Sequence, residues 1–534
     1  MSRSALDYYA IKSLLCDGSF YEKVNNRCFD LLNNKYKSYG AILVHQLYLE
    51  TTRERDTMKL TTLLPILCFF PLLAYCHEVI KDQYWNGINE NLKRFPEIPH
   101  AGSPDPRVNI AKLGKLRGTD YLHDLMVESG LGVYRLKLFD DRVILADPVA
   151  IQAIYDTKLT EKSKDFGLVN VNTNSLRGYL PTSNTNGRDK AIKKRGMWKI
   201  LQRAQRNKGY QGLYEILKKH TSEVLSTVKG DRTDIEPLLD LIKVRTITEY
   251  FFDKAFDLSL EVSSAWFAQS FTPKNKPDAK LTEKAKGLNK LMYDYIDRTP
   301  WGKYTIRSKQ YRRGDRRSLE TLKSEALFFA IVFSAFPFSF SNGALSLRSG
   351  LASSIPLFVG LNNATRATLL KEVDRFNQND GKSMKGKLGD FHAMDRFVLE
   401  VYRLFPPLTQ VFARARTNFI LDSLQGRYFI KKGTYFIGYS YGAQRDPDTF
   451  RFPNEFTMTG DEEHTKNNFF TFSGPFYQKP TFSNRKCLGQ YLEMNLLKMF
   501  LSIVSKCEIE LVSSPAQILV KKERVLVKKF KCPK

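Results

Sequence analysis

Helical periodicity dominates the middle of this 534-residue chain. From about residue 148 to residue 403, apolar side chains recur at the spacing that places them on one face of a helix. The pattern predicts charged amphipathic helices over Lys190–Arg206 and Gly212–Val228, and a more apolar helix over Leu241–Phe256. A long helix begins near Leu319. Its second half is almost wholly apolar, which is typical of a helix buried in a core.

Strict alternation of apolar and polar residues is limited to short stretches on either side of the helical region. Val133–Leu138 alternates, two aspartates follow, and Val143–Leu145 resumes the pattern, which predicts a β-hairpin. Short strand patterns return at Phe412–Phe419 and Tyr428–Ile430. The chain is therefore predicted to be mainly α-helical with small β-sheets.

The N-terminal part of the chain has a different character. Residues 1–57 are polar and are interpreted as an unusual leader or a gene-model extension. An apolar run over 58–76, opened by a single lysine, predicts a signal peptide or membrane anchor, with a buried helix as the alternative. A proline-rich hinge is expected over 77–107, before a folded domain over 108–534. This arrangement predicts a location in the endoplasmic reticulum membrane or the secretory pathway.

Cysteine and histidine usage argues against several classes of metalloenzyme. None of the seven cysteines lies between Cys76 and Cys487, so no disulfide framework or zinc pattern runs through the body of the chain. The seven histidines show no metal-ligand spacing, which argues against zinc or histidine-ligated iron.

The formal net charge of +27 raises the question of nucleic acid as a partner. Basic residues cluster over 188–208 and again over 521–534. No zinc finger, RNA-binding strand or basic helix with heptads accompanies them, so no nucleic acid partner is expected. An anionic membrane surface or an acidic group on the substrate is the favoured partner.

A single cysteine stands in a loop before the last long helix. Cys487 has a cation, Arg485, two residues before it and Gly489 two residues after it, and a helix is predicted from Gln490. The positive end of that helix favours thiolate over thiol, and the glycine lets a flat ligand approach the backbone. An iron porphyrin with a thiolate ligand uses these parts, although a lone cysteine is more often a small buried hydrophobe.

A second candidate pair lies at the end of a predicted helix. Glu400 and Arg403 are three residues apart, so they share one helical face. Apolar residues surround the pair, and Pro406-Pro407 ends the helix directly afterwards. An ion pair in such company is a candidate for a buried structural clamp.

The order of these parts resembles the cytochrome P-450 superfamily from about residue 90 onward. Within it, the loop resembles the branch of allene oxide synthases, hydroperoxide lyases and epoxyalcohol synthases. The pattern that carries this is Gly474-Pro475, an insertion, and Pro480-Thr481-x-x-Asn484-Arg485-Lys486-Cys487-x-Gly489. The stretch Arg414–Phe419 is similar to the same branch.

This resemblance implies haem b, with Cys487 as the axial ligand of its iron. Arg485 would pair with one haem propionate and Arg414 with a second. Lys190 and Lys194, one helical turn apart, would supply further cations.

The long apolar helix bears on the reaction. Between Ser324 and Asn342 the only acid is Glu325 and there is no threonine, so proton delivery to bound dioxygen is poorly provided for. A substrate that already contains an O–O bond needs neither this relay nor a redox partner. The resemblance therefore implies rearrangement or cleavage of polyunsaturated fatty acid hydroperoxides without O2 or a reductase. Ser334 stands where the branch has asparagine. The segment Lys164–Leu168 resembles a pocket strip of the same branch, and this resemblance implies that Leu168 favours epoxyalcohol formation or cleavage.

Two alternatives remain open at this point. One is a monooxygenase of the same fold that uses O2 and NADPH through a reductase, against which the missing acid and threonine argue. The other is a non-catalytic protein that binds haem or lipid, suggested by Ser334.

Overall fold

The computed structural model describes residues 95–115, 118–162, 165–166, 169–171, 185–228, 230–256, 271–273, 279–307, 322–323, 326, 350–378, 391–406, 409–520 and 524–533. Several predictions fall outside these residues. They are the leader over 1–57, the apolar run over 58–76, the first part of the hinge, Leu168, and most of the long helix with Ser334.

Helices account for most of the described residues, as the periodicity predicts. They are α1 Pro106–Lys115, α2 Gly118–Ser129, α3 Gln152–Tyr155, α4 Gly187–Leu225, α5 Glu236–Phe252, α6 Ala279–Arg298, α7 Pro300–Arg307, α8 Gly350–Val359, α9 Asn363–Gln378, α10 His392–Leu404, α11 Ser440–Ala443, α12 Glu462–Asn467, α13 Gln490–Val504 and α14 Pro515–Val520.

The strands are short and form small sheets. They are β1 Val133–Lys137, β2 Asp141–Leu145, β3 Thr160–Glu161, β4 Asp165–Phe166, β5 Val169–Val171, β6 Thr233–Asp234, β7 Phe271–Pro273, β8 Gln410–Ala415, β9 Phe419–Ser423, β10 Gly426–Ile430, β11 Tyr435–Tyr439, β12 Glu508–Leu511 and β13 Leu526–Lys531. The largest sheet has the order β1-β2-β11-β8-β3, and the others are β10-β9, β12-β13-β6 and β4-β5-β7.

Local patterns account well for these elements. The predicted hairpin is present, with Val133 opposite Leu145 and Lys137 opposite Asp141. The two amphipathic helices predicted between residues 190 and 228 form α4, which is interrupted at Gly209. Gly209 has φ of 61°, a conformation that costs glycine little and other residues considerably more.

The main core lies around α13, which packs against α4, α8, α9 and α10. Its apolar side chains, among them Leu496 and Phe500, are fully buried because neighbours cover the helix on nearly all sides. The residues just before α13 are therefore held by a rigid helix, and this is the loop that contains Cys487.

Glu400 and Arg403 of α10 form a buried ion pair. Two guanidinium nitrogens of Arg403 donate to the two carboxylate oxygens of Glu400, at 2.8 and 2.9 Å. The same guanidinium donates to backbone carbonyls that lie far along the chain, those of Gln444, Phe452, Pro453 and Glu455. Only 1% of the Arg403 side chain is exposed, so its charge is fully taken up by these acceptors. The pair ties α10 to the irregular segment that leads toward the cysteine loop.

Two further features complete the described unit. The proline-rich stretch near residue 100 lies against β1, where the Arg135 N–H donates to the Pro99 carbonyl at 2.7 Å. Cys507 and Cys532 form a disulfide between the end of α13 and the end of β13, which the sequence did not indicate. Among the described residues no helix is long and apolar enough to cross a membrane.

We predict that Arg403→Ala lowers the free energy of unfolding by about 3–5 kcal/mol, because it leaves a buried carboxylate without its partner. Urea denaturation measures the effect. Arg427→Ala is the control, since Arg427 and Asp422 are both mostly exposed and their pair should contribute less than about 1 kcal/mol. Equal losses in the two variants would contradict the assignment of a buried clamp.

Candidate functional site

Cys487 lies in the loop that enters α13. Its backbone N–H donates to the Phe472 carbonyl at 3.0 Å, and the Gly489 N–H lies 3.4 Å from its Sγ. Gly489 is the N-cap residue of α13, so the sulfur lies at the positive end of the helix. Burial raises the pKa of the Cys487 thiol, against the lowering effects of the Gly489 N–H and the ammonium groups of Lys194 and Lys486. The protein alone does not favour the thiolate, whereas a bound metal cation would.

Lys194 of α4 holds the cysteine loop in place. Its ammonium group donates to the carbonyls of Thr481 at 2.6 Å, Asn484 at 3.0 Å and Lys486 at 2.8 Å. The side chain is 3% exposed, and burial lowers the pKa of Lys194 to about 8. Three carbonyls on one buried cation make Lys194 a structural anchor of the loop.

Lys486, which the sequence did not single out, closes the other side of the insertion. Its ammonium group donates to the carbonyls of Gly474 at 3.0 Å and Pro475 at 2.7 Å. Gly474 has φ of +136°, a conformation that disfavours a side chain. Burial lowers the pKa of Lys486 to about 7. The two ends of the insertion are thus fastened together directly beside Cys487.

Arg485 points toward the region between α3 and β3. Its guanidinium donates to the carbonyl of Ile154 and to Oγ1 and the carbonyl of Thr160, at 2.7 and 2.6 Å for the two threonine atoms. Its Nε is buried and has no hydrogen-bond partner among the described residues. Burial lowers the pKa of Arg485 to about 10. The Nε–H of this guanidinium thus remains for an acceptor that the described residues do not supply.

Lys190 lies one turn before Lys194 on α4 and differs from it. Its side chain is 5% exposed, and its ammonium group makes no hydrogen bond to any residue that the structure describes. Burial, and then the charges of Arg485 and Lys194, lower the pKa of Lys190 to about 7. Lys162, also missed by the sequence, donates to the Phe412 carbonyl at 2.7 Å and has its pKa lowered well below its usual value, first by burial.

These side chains form a cluster of cations beside the cysteine loop: Lys162, Lys190, Lys194, Arg485 and Lys486. Within the described part of the chain, none of them forms an ion pair with a carboxylate. Buried charges are normally paired, so this arrangement suits a ligand that brings its own negative charge. These residues fit a flat cofactor whose metal binds Sγ of Cys487 and whose two carboxylates pair with Lys190 and Arg485.

The remaining predicted site residues lie elsewhere. Arg414 is exposed on β8, where its Nε donates to the Gly433 carbonyl at 3.3 Å and its guanidinium lies 5.2 Å from the ring centre of Tyr435. These contacts of Arg414, to Gly433 and Tyr435, do not involve Arg485 or Lys190. Ser334 and Leu168 lie outside the described residues.

Comparisons with known proteins agree with the resemblance seen in the sequence. Residues 358–531 match the family model of Cytochrome P450. A tomato (Solanum lycopersicum) protein, "Fatty acid hydroperoxide lyase, chloroplastic", is 34% identical over 130 residues, which cover 23% of this chain and 27% of the relative. "Allene oxide synthase CYP74A2" from Parthenium argentatum is 30% identical over 125 residues, covering 22% of this chain and 26% of the relative. The matched stretches thus span about a quarter of these relatives' length.

The fold extends much further than the sequence similarity. The crystal structure of the cytochrome P450DA heme domain aligns with 82% of this chain and 97% of its own, with a TM-score of 0.57 and 14% sequence identity. The predicted fold is therefore confirmed.

The predicted location in the endoplasmic reticulum membrane or the secretory pathway is wrong. The tomato relative is named as a chloroplastic protein. The location was predicted from the apolar run over 58–76, which lies outside the described residues. Hydrophobicity and one flanking lysine do not identify the compartment, because several targeting segments share them.

We predict that Lys194→Met loosens the cysteine loop, with about 1–3 kcal/mol lost for each carbonyl left without a donor. Urea denaturation and hydrogen exchange over residues 481–487 measure the effect. The control is Lys193→Met, since Lys193 is equally buried but pairs with Asp189 on its own helix. Equal hydrogen-exchange rates over residues 481–487 in the two variants would contradict the anchoring role of Lys194.

A second prediction concerns protons. Because the protein alone lowers the pKa of Lys190 to about 7, the group is mostly neutral above that pH, and an anionic ligand raises its pKa. Binding of haem one pH unit above this value should therefore take up more protons in the wild type than in Lys190→Met. One unit below it, Lys190 is already charged and the difference should be small. Calorimetric titration in buffers of different ionisation enthalpy counts the protons, and equal uptake at the higher pH would exclude Lys190.

Proposed function

Because the chain has the cytochrome P450 fold and its C-terminal third matches that family, we propose that it is a haem-thiolate enzyme that rearranges or cleaves polyunsaturated fatty acid hydroperoxides. The observation that carries this proposal is the group of cations beside the cysteine loop that have no carboxylate partner among the described residues. The names of the relatives, a hydroperoxide lyase and an allene oxide synthase, supply the substrate class.

In this proposal Cys487 is the axial ligand of haem b. Lys190 and the free Nε of Arg485 bind the propionates, since both are buried and lack partners among the described residues. Lys194 and Lys486 do not bind the cofactor but hold the backbone of the loop on either side of Cys487. Arg414 remains a candidate for a second propionate only if its side chain leaves the exposed face of β8.

When bound, the haem supplies one-electron chemistry that breaks the O–O bond of the hydroperoxide. The residues of this chain orient the cofactor and shape its surroundings. The Gly489 N–H, directed at Sγ, withdraws electron density from the thiolate and thereby tunes the iron. Lys190 and Arg485 compensate the charge of the propionates in a region that water reaches poorly.

The fate of the substrate radical decides the product. Homolysis would leave an alkoxyl radical and one hydroxyl equivalent. The radical would cyclise to an epoxide and take up that hydroxyl, or give up an electron and a proton so that the hydroxyl leaves as water, or fragment the carbon chain. The resemblance of the sequence implies that Leu168 favours the epoxyalcohol or the cleavage outcome and that Ser334 donates a hydrogen bond to the peroxide, and both stay predictions. Because the substrate brings its own O–O bond, no reductase or other redox partner is required.

The charge of the chain suits such a substrate. A formal net charge of +27 favours contact with an anionic membrane surface and with the carboxylate of a fatty acid hydroperoxide.

The test is anaerobic turnover of a polyunsaturated fatty acid hydroperoxide without NADPH or reductase, followed by identification of the product. We expect consumption by the wild type and, in Cys487→Ala, a rate no higher than that of free haem, because the thiolate is lost. Circular dichroism checks that the variant folds. Turnover that requires O2, NADPH and a reductase would establish the monooxygenase instead, and a haem spectrum without any turnover would establish a binding protein.

A further inference from the structure

A buried carboxylate lies six residues after Cys487. Glu493 is in the first turn of α13 and is 7% exposed. Its Oε1 accepts hydrogen bonds from the Lys243 ammonium group at 2.5 Å and from the Tyr402 hydroxyl at 2.9 Å. Its Oε2 is buried and has no partner among the described residues. The three side chains come from three helices, α13, α5 and α10.

Tyr402 connects this carboxylate to the other side of the cysteine loop. Its ring meets the ring of Phe472 edge to face, with 5.6 Å between the centres. The carbonyl of Phe472 is the acceptor for the backbone N–H of Cys487. The Glu493 N–H, in turn, donates to the Gly489 carbonyl at 2.9 Å. Glu493 is therefore connected to Cys487 in two ways: through Tyr402 and Phe472, and through the backbone of Gly489 at the start of α13.

The surroundings leave little freedom to this network. The Tyr402 side chain is completely buried, and a Cβ added to Gly350 of α8 would lie 2.7 Å from its hydroxyl oxygen. The hydroxyl thus fits in a space that only a glycine leaves open. A hydroxyl confined in this way keeps its hydrogen bond to Glu493, and Glu493 keeps its place in the first turn of α13.

Stability alone does not account for a charged pair at this place. Well-packed apolar residues usually stabilise a core at least as well as a buried ion pair does. What the ion pair adds is direction, since each hydrogen bond holds one atom at a defined distance and angle.

We propose that Glu493 is a positioning residue that, through Tyr402 and Lys243, holds Cys487 where it can act as the axial ligand of the haem. This inference rests on the proposed function. We expect that loss of the hydrogen bonds among Glu493, Tyr402 and Lys243 changes the position of the thiolate. A larger fraction of the haem should then lack a thiolate ligand.

The chain offers a matched control on the same two helices. Asp395 of α10 and Lys498 of α13 form an ion pair at 2.7 Å, with exposures of 0% and 2%. Lys498 lies five residues after Glu493, about 7.5 Å farther along the helix from Cys487. Disrupting this pair destabilises the α10–α13 contact without touching the first turn of α13.

The experiment compares Tyr402→Phe and Glu493→Gln with Asp395→Asn and Lys498→Met in the haem-loaded full chain. Tyr402→Phe removes one hydroxyl and keeps the ring, so it is the variant least at risk of misfolding. The measurements are the thermal midpoint, the reduction potential of the haem, and the fraction of the reduced carbonyl complex that shows the red-shifted Soret band of thiolate ligation.

The two test variants, Tyr402→Phe and Glu493→Gln, and the two control variants, Asp395→Asn and Lys498→Met, should all have a lower thermal midpoint than the wild type. Only the Glu493 and Tyr402 variants should lose thiolate-ligated fraction and shift the reduction potential. Wild-type values in these two variants, or equal losses in both sets, would overturn the positioning role while leaving the proposed function intact. A wild-type protein with no thiolate band at all would overturn the proposed function, and this inference with it.

Discussion

The burial of positive charge without internal compensation is the constraint on which this site depends. Lys190 and Arg485 keep nitrogen atoms that are buried and have no acceptor among the described residues, and the pKa of Lys190 is lowered to about 7 as a result. Burying a charge without a partner costs free energy, and a bound ligand of opposite charge removes that cost. The same region contains a thiol whose pKa burial raises, so it too is stabilised in its reactive form by a bound cation. A cofactor with a metal and two carboxylates would bind the thiolate through its metal and pair with Lys190 and Arg485 through its carboxylates.

The surrounding structure serves to keep these groups in place. The Arg403 guanidinium joins α10 to four distant carbonyls, and α13 is packed on nearly all sides. Two lysines fasten the insertion that separates Gly474 from Cys487, one from α4 and one from the loop itself. The insertion is therefore an ordered part of the site.

Much of the architecture follows from local patterns. The hairpin at Val133, the break in α4 at Gly209 and the end of α10 at Leu404 each arise from residues close in sequence. The cysteine loop was recognisable because cation, cysteine and glycine are neighbours. Contacts between distant residues were not accessible in this way. Lys190 and Lys194 lie one turn apart on the same helix and look alike in the sequence. In the described part of the chain, however, Lys194 donates to three carbonyls and Lys190 to none. Nothing local marked Lys243 and Tyr402 as partners of Glu493, or Cys507 as the partner of Cys532.

The central claim is that Cys487 ligates a haem iron through its thiolate. The carbonyl difference spectrum of the reduced protein tests it most directly, recorded for the wild type and for Cys487→Ala. The account predicts a red-shifted Soret band of the thiolate type in the wild type and its complete loss in the variant. A wild-type protein that binds haem without this band, or a variant that retains it, would contradict the account.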